Sequence, residues 1–291
     1  MKKGLILLGL TFFSLGIGKG LYFLKDGFSF RRIHSLKCQE CFGLNEKAKH
    51  ILKDTFHYLG RGRQCFAFAS EDGKYVLKFP RTDIYSTPLW AKVLPVKAYR
   101  KKLESAHKER EEFIRESFRI SFESLQEETG LIAVHLGQTE PSKVLLTVVD
   151  ASGSTHKLPL YKTSFVLQEK HPILMKEYIK AREEQNITHS KKILDVLLDV
   201  IVTRAEKGIL NQDPSFLRNF GFDGEKAYQI DVGSFFKNPS LSQEEIYQKS
   251  IRDSVDSVQE WLQEHDPEML SYLNKKLDLI LQPNKTLIYF N

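Results

Sequence analysis

The spacing of apolar residues changes character several times along this chain, and the changes predict its elements. Behind Lys2 and Lys3, residues 4–18 form an apolar and small-residue run, interrupted by Lys19 and resumed at Leu21-Tyr22-Phe23-Leu24. Residues 45–56 are polar with Ala48, Ile51, Leu52 and Phe56 at helical spacing, which predicts a short lead-in helix. A strand, a glycine loop (Gly60-Arg61-Gly62-Arg63), a second strand, a turn at Glu71-Asp72-Gly73-Lys74 and a third strand at residues 75–79 follow. Residues 89–128 are helical in pattern and heavily charged, with Phe113, Ile120, Phe122 and Leu125 on the apolar side of the later turns. Residues 131–136, 144–149 and 158–168 read as further strands, completing an antiparallel sheet of about five or six. Helical spacing then returns over 173–207, through Ile193, Val196, Leu197, Val200 and Ile201, and again over 242–281. Between those stretches, two short apolar runs are split by the turn signal Asp223-Gly224, a predicted hairpin. The order predicts an α+β chain, sheet first and helices after. The apolar tail at 287–290 takes no assignment.

Composition narrows the picture only in places. A chain of 291 residues can form one large domain or two lobes with ample core. Lys and Arg total 43 against 37 Asp and Glu, and no dense basic cluster with interleaved aromatics occurs, so a nucleic-acid partner is not expected. No internal repeat, low-complexity tract or heptad is present. Three cysteines, Cys38, Cys41 and Cys65, are too few for a disulfide framework, and the lone CxxC at 38–41 lacks the second ligand pair that zinc needs. They read as incidental thiols of a reducing compartment. The opening run has the basic start and apolar centre of a secretory signal but no A-x-A-like cleavage site. It is short for a spanning helix unless Lys19 snorkels. Lys25, Arg31, Arg32 and Lys37 outnumber the charges at the start, so a spanning helix would keep the body of the protein cytoplasmic. A membrane anchor through residues 1–24 is expected first, an exported chain second, and a buried or interfacial helix third.

Candidate chemistry concentrates in residues 208–236. Asp213 is followed by a short polar loop and Asn219, and the strand after the hairpin delivers Asp231-Val232-Gly233. Two carboxylates and one amide oxygen brought together by a hairpin can hold Mg²⁺, which binds through one or two carboxylates plus substrate phosphates. Upstream, Gly60 and Gly62 would let backbone N–H groups approach phosphate oxygens. Lys78 sits inside an apolar strand, where an ammonium needs a partner.

In this order the glycine loop, strand lysine, charged helix, Asp…Asn and DxG resemble the protein-kinase-like superfamily, over about residues 45–282. The resemblance implies a two-lobed fold, with an antiparallel-sheet N-lobe at 45–168 and a mainly helical C-lobe at 169–291, behind the apolar segment and basic flank of 1–36. It implies that Gly60 and Gly62 cover the phosphates of ATP and that Lys78 binds the outer phosphates. A helix carboxylate would hold Lys78; Glu112, Glu116 and Glu123 are candidates. Glu116, one turn from Phe113 and Ile120, is chosen. Gln168 to Lys170 would form the hinge, offering backbone groups to the purine. Asp213 would orient or deprotonate the acceptor hydroxyl, and Asn219 and Asp231 would ligate Mg²⁺.

Several features depart from the pattern. Asn211-Gln212 precedes Asp213 where His-Arg or His-Gly is usual. Six residues rather than five separate Asp213 from Asn219, which demands a bulged loop or leaves Asn219 out of reach. The glycine loop lacks its third glycine and carries Arg61 and Arg63. No Ala-Pro-Glu follows the DxG, which points away from a regulated protein kinase and toward a compact phosphotransferase. Three functions follow: an ATP- and Mg²⁺-dependent phosphotransferase on a small-molecule, lipid-linked or protein acceptor; an inactive kinase-like module that binds nucleotide or a partner protein; or, if residues 1 to about 20 are cleaved, an exported protein with no nucleotide chemistry.

Overall fold

A computed structural model describes residues 24–33, 36, 39–85, 97–141 and 143–282. The apolar run at 1–23, Cys38, residues 86–96 and the tail at 287–290 lie outside the described residues. The fold is α+β, and the chain divides into two compact units, one from residues 1–111 and 133–167, the other from 112–132 and 168–291.

The first unit is built on an eight-stranded sheet. In chain order the strands are β1 (Gln39–Phe42), β2 (Thr55–Arg61), β3 (Cys65–Ser70), β4 (Tyr75–Pro80), β5 (Leu131–Gly137), β6 (Leu145–Val149), β7 (Thr155–Pro159) and β8 (Phe165–Glu169). They lie side by side as β1-β5-β8-β4-β3-β2-β6-β7. The expected five or six antiparallel strands are therefore too few, and the sheet is mixed, because β6 runs parallel to β2. The hairpin of β6 and β7 extends the sheet beyond β2, while β1 adds to β5 at the other edge. Four polar-leaning residues, Gln39-Glu40-Cys41-Phe42, carry no alternation, which is why β1 leaves no mark in the sequence pattern.

The lead-in helix is shorter than its apolar spacing suggests. Helix α1 (Glu46–Ile51) starts at Asn45, whose Oδ1 accepts from Ala48 N at 2.9 Å, and Phe56 already belongs to β2. Phe56 is fully buried, so the sheet claims the residue that completes the helical stripe.

A strap of residues 24–33 lies across the sheet. Phe28, 3% exposed, meets Phe66 and Phe68 edge-on with centroids 5.3 and 5.1 Å apart. The Tyr58 hydroxyl donates to Asp26 at 2.7 Å, and Arg61 pairs with the same carboxylate at 3.4 Å. Lys25 reaches Asp150 in the β6–β7 turn at 2.9 Å. Asp150 is a buried carboxylate that also accepts from Ser152 N, Ser154 N and His156 Nε2. Burial alone would raise its pKa, but the bonds from Ser152, His156 and Lys25 outweigh it and hold the carboxyl far below the usual range.

The second unit holds the later turns of α2 (Lys97–Ser124), then α3 (Gln126–Thr129), α4 (Leu174–Glu183), α5 (Ile187–Glu206), β9 (Ile209–Asn211), α6 (Phe216–Asn219), β10 (Phe220–Phe222), β11 (Ala227–Gln229), β12 (Phe235–Lys237), α7 (Glu244–His265) and α8 (Pro267–Ile280). The helical stretch of 173–207 is two helices: Gln185 turns left-handed at φ 55°, and Asn186 caps α5 through His189 N. The expected apolar stripe of α5 is buried at Ile193, Leu197, Val200 and Ile201, against Val255 and Val258 of α7 and Leu273 of α8 in one core. Gly208, at φ +72°, ends α5 in the left-handed conformation that glycine adopts without strain and turns the chain into β9. Among the described residues no helix is long and apolar enough to cross a membrane.

Candidate functional site

The proposed phosphate-binding residues stand in the meander β2-β3-β4. Gly60 faces Ala67 across one ladder, and Ala67 faces Lys78 across the next, so the three share a row on the sheet. Lys78 is half-buried on the third strand of the meander. A Cβ at Gly60 would meet no atom within 4 Å, so packing does not demand glycine there. Gly62 is differently placed. Its N–H donates to Cys65 O at 2.8 Å and closes the β2–β3 hairpin, so that N–H is already used.

The carboxylate end of the candidate site is assembled by two short hairpin-like pairings in the second unit. The ends of β9 and β12 lie together, Asn211 opposite Phe235, and Gln212 N donates to Ser234 O at 3.0 Å. This sets Asp213 beside the segment that begins at Asp231. The predicted hairpin at Asp223-Gly224 is present as β10 and β11, with Phe220 opposite Gln229. Asp223 holds the turn by accepting from Glu225 N and Lys226 N. The six-residue interval between Asp213 and Asn219 neither bulges nor strands Asn219. It contains the single turn α6, with Asn219 N bonded to Ser215 O. That turn carries Asn219 back so that its Nδ2 donates to Asp213 O at 2.8 Å, while its own carbonyl accepts from Ile230 N at 2.9 Å. Asn219 is thus bonded to Asp213 and to Ile230, the residue before Asp231, and using the amide's donor side on Asp213 turns its Oδ1 away from that bond. Asp231 Oδ1 receives only a long contact from Gly233 N, 3.5 Å.

Two expected residues are engaged in ways the sequence did not suggest. Glu116 is half-exposed and takes Arg119 of its own helix with both carboxylate oxygens. The Gln168 side chain is buried, its Nε2 donating to Thr129 O and, at 3.4 Å, to Gln229 O, and Glu169 N is bonded to Gly130 O. Gln168 therefore braces the segment beneath the hairpin.

Two residues were missed. Arg204 is fully buried on α5, its Nη1 donating to Gln229 Oε1 at 2.9 Å and Nη2 to Ser254 Oγ at 2.8 Å. Burial lowers its pKa to about 10, so it stays charged at neutral pH. Its position on the apolar stripe, three residues after Ile201, was a legible signal. Ser117 of α2, also fully buried, bonds the Asp231 loop directly and left no signal, since a serine in a charged helix looks solvated.

Among the described residues no cluster of three or more His, Cys, Asp or Glu side chains is suited to a metal. The donor set at hand is two carboxylates and an amide oxygen, hard oxygen donors of the number Mg²⁺ takes from protein when phosphates complete its shell.

No protein-family model matches the chain, and no curated protein matches it. Solved structures of WbdD are similar to it. A 2.2 Å crystal structure is 20% identical with a TM-score of 0.35, over 68% of this chain and 37% of that one. A structure described as the bifunctional kinase-methyltransferase WbdD is 20% identical with a TM-score of 0.33, over 66% and 34%. A co-crystal of WbdD with a kinase inhibitor is 15% identical at 0.33, over 75% and 45%. The chain spans less than half the length of each, and the likeness is one of coarse fold.

Proposed function

We propose that this chain is a kinase-like phosphotransferase that uses ATP and Mg²⁺. The observation that carries the reading is the pair of bonds that sets Asn219 against Asp213 and against Ile230, the residue before Asp231: Asn219 Nδ2 to Asp213 O and Ile230 N to Asn219 O. Segments fixed in this way suit phosphoryl transfer, in which the protein positions groups and neutralises charge. Asn219 and Asp231 would hold Mg²⁺, which would supply charge neutralisation at the phosphates. Asp213 would accept a hydrogen bond from the acceptor hydroxyl and take its proton. Lys78 would pair with the outer phosphates over Gly60, supported by a carboxylate of α2; Glu116 serves if it leaves Arg119. The acceptor is a small molecule, a lipid-linked molecule or a protein, and a membrane anchor at residues 1–24, with the rest cytoplasmic, would favour the lipid-linked kind.

The second reading, a module that binds nucleotide without turnover, is favoured by Asn211-Gln212 in place of a histidine-bearing step before Asp213. A thermal-shift titration of the full chain with ATP separates the two when paired with a phosphate-release assay. The enzyme reading expects a Mg²⁺-dependent shift that disappears in Asp231→Ala, and turnover that falls at least 100-fold in Asp213→Ala while ATP binding survives. Full turnover in Asp213→Ala removes Asp213 from catalysis. A shift indifferent to Mg²⁺, without turnover, selects the binding module.

A further inference from the structure

We infer that Ser117 of α2 is a positioning residue for Asp231, acting through the turn that follows it; this rests on the reading of Asp231 as a metal ligand. Val232-Gly233-Ser234-Phe235 forms a four-residue turn, which ordinarily closes by a bond from the last N–H to the first carbonyl. A side chain from another element supplies both halves of that bond. Ser117 Oγ accepts from Phe235 N at 2.7 Å and donates to Val232 O at 2.6 Å. A hydroxyl suits the place because it is donor and acceptor at once.

The neighbouring residues of α2 continue the pattern. Ser121, one turn on, donates to Ser117 O at 2.6 Å and reaches Val232 O at 3.2 Å. Phe113, one turn back, lies against Phe236 with ring centroids 6.5 Å apart. Positions 113, 117 and 121 share one helix face, and that face follows residues 232–236. Asp231 immediately precedes the held carbonyl, and its own loop gives its carboxylate only the 3.5 Å contact from Gly233 N. The direction of the Asp231 side chain is therefore set by the backbone of Val232, which Ser117 fixes. Without the hydroxyl the turn is free to close on itself, rotating the peptide after Asp231 and carrying the carboxylate off its aim. A buried serine kept only for packing would have no reason to hold both ends of this turn.

The test reads Mn²⁺ affinity by electron paramagnetic resonance in the full chain with ATP, beside metal-free ATP affinity and the melting temperature. Partners that orient a metal ligand typically change metal affinity by about 10–100-fold when removed. Ser117→Ala is expected to weaken Mn²⁺ binding about 10-fold with metal-free ATP affinity unchanged. Ser117→Thr, which keeps the hydroxyl, should stay within about 3-fold of the parent, and Ser121→Ala should do less than Ser117→Ala. If Ser117→Ala does not fold, Ser117→Cys, with a weak donor and acceptor in nearly the same volume, takes its place with the same expectation. Mn²⁺ affinity unchanged in a folded Ser117→Ala or Ser117→Cys overturns the inference. So does an equal loss of metal-free ATP binding. Asp231→Asn tells the two levels apart: if it abolishes Mn²⁺ binding while the Ser117 variants do not weaken it, the positioning role alone fails. If Asp231→Asn also leaves Mn²⁺ binding intact, the reading of the site fails and takes the inference with it.

Discussion

Arg204 is a charge without a carboxylate among its hydrogen-bond partners, held by a glutamine and a serine. Its Nε, and the Nε2 of Gln229, are buried atoms that find no partner among the described residues. A buried cation with neutral partners is costly, and removing only one side of such a contact orphans the other. Arg204→Met is expected to destabilise the protein by about 1–3 kcal/mol, because Gln229 Oε1 loses its donor. Adding Gln229→Leu should then restore much of the loss, since an apolar pair of similar volume leaves no unpaired group. Urea unfolding of the four proteins measures the coupling; losses that simply add would refute it. At this scale the sequence was uneven as a guide. Asp213, Asn219 and Asp231 stood out as candidates from their spacing around a predicted hairpin, and the fold bonds Asn219 to Asp213. The side chain of Glu116 could not be placed, because the buried positions of α2 are Ile114, Ser117, Phe118, Ile120 and Ser121, and its two serines do not register as core. Phe113, taken as a marker of that face, is only partly buried.

At the scale of elements, α6 resolves the spacing that set this chain apart from its resemblance. One extra residue between Asp213 and Asn219 is accommodated by a helical turn and not by a slack loop. Leu217 is exposed on that turn, so deleting it removes no core side chain yet shortens the interval to five. The deletion is expected to break the bond from Asn219 Nδ2 to Asp213 O and to abolish the Mg²⁺-dependent part of the ATP thermal shift. Retention of that shift would show that the turn is incidental. Long amphipathic elements such as α5, α7 and the β2–β4 meander were readable, since burial selects their period. Short elements set by tertiary pairing were not. β1 exists because β5 offers it an edge, α1 stops where β2 recruits Phe56, and the parallel pairing of β6 with β2 is decided across about ninety residues of chain.

At the scale of the whole molecule, the strap decides where the chain can be shortened. Cutting ahead of Leu24 leaves every strap contact described above, whereas cutting after Ile33 removes Phe28 from the aromatic cluster. The single change Phe28→Ala is expected to cost about 3–5 kcal/mol, as for other buried aromatics, and the longer truncation at least as much by urea unfolding. If both leave the unfolding midpoint unchanged, the strap is not part of the folded unit. Asp150 adds a dependence on pH. Its carboxyl is more acidic in the fold than in the unfolded chain, so its contribution is full above about pH 4, the ordinary carboxylate value, and is lost progressively below. Asp150→Asn should therefore be less stable at neutral pH and show a flatter loss of melting temperature between about pH 4 and pH 2 than the parent. Parallel curves would remove Asp150 from the acid response. None of this was legible beforehand: residues 24–33 read as the basic flank of an apolar run, because the partners of Lys25, Asp26 and Phe28 lie far along the chain.

The strap is tied to β2 through Asp26, which pairs with Arg61 between Gly60 and Gly62, and to β3 through Phe28. A pull on Leu24 therefore reaches the β2–β3 hairpin within four residues, as a rein reaches a bit, and the hairpin and the strap cannot be steered separately.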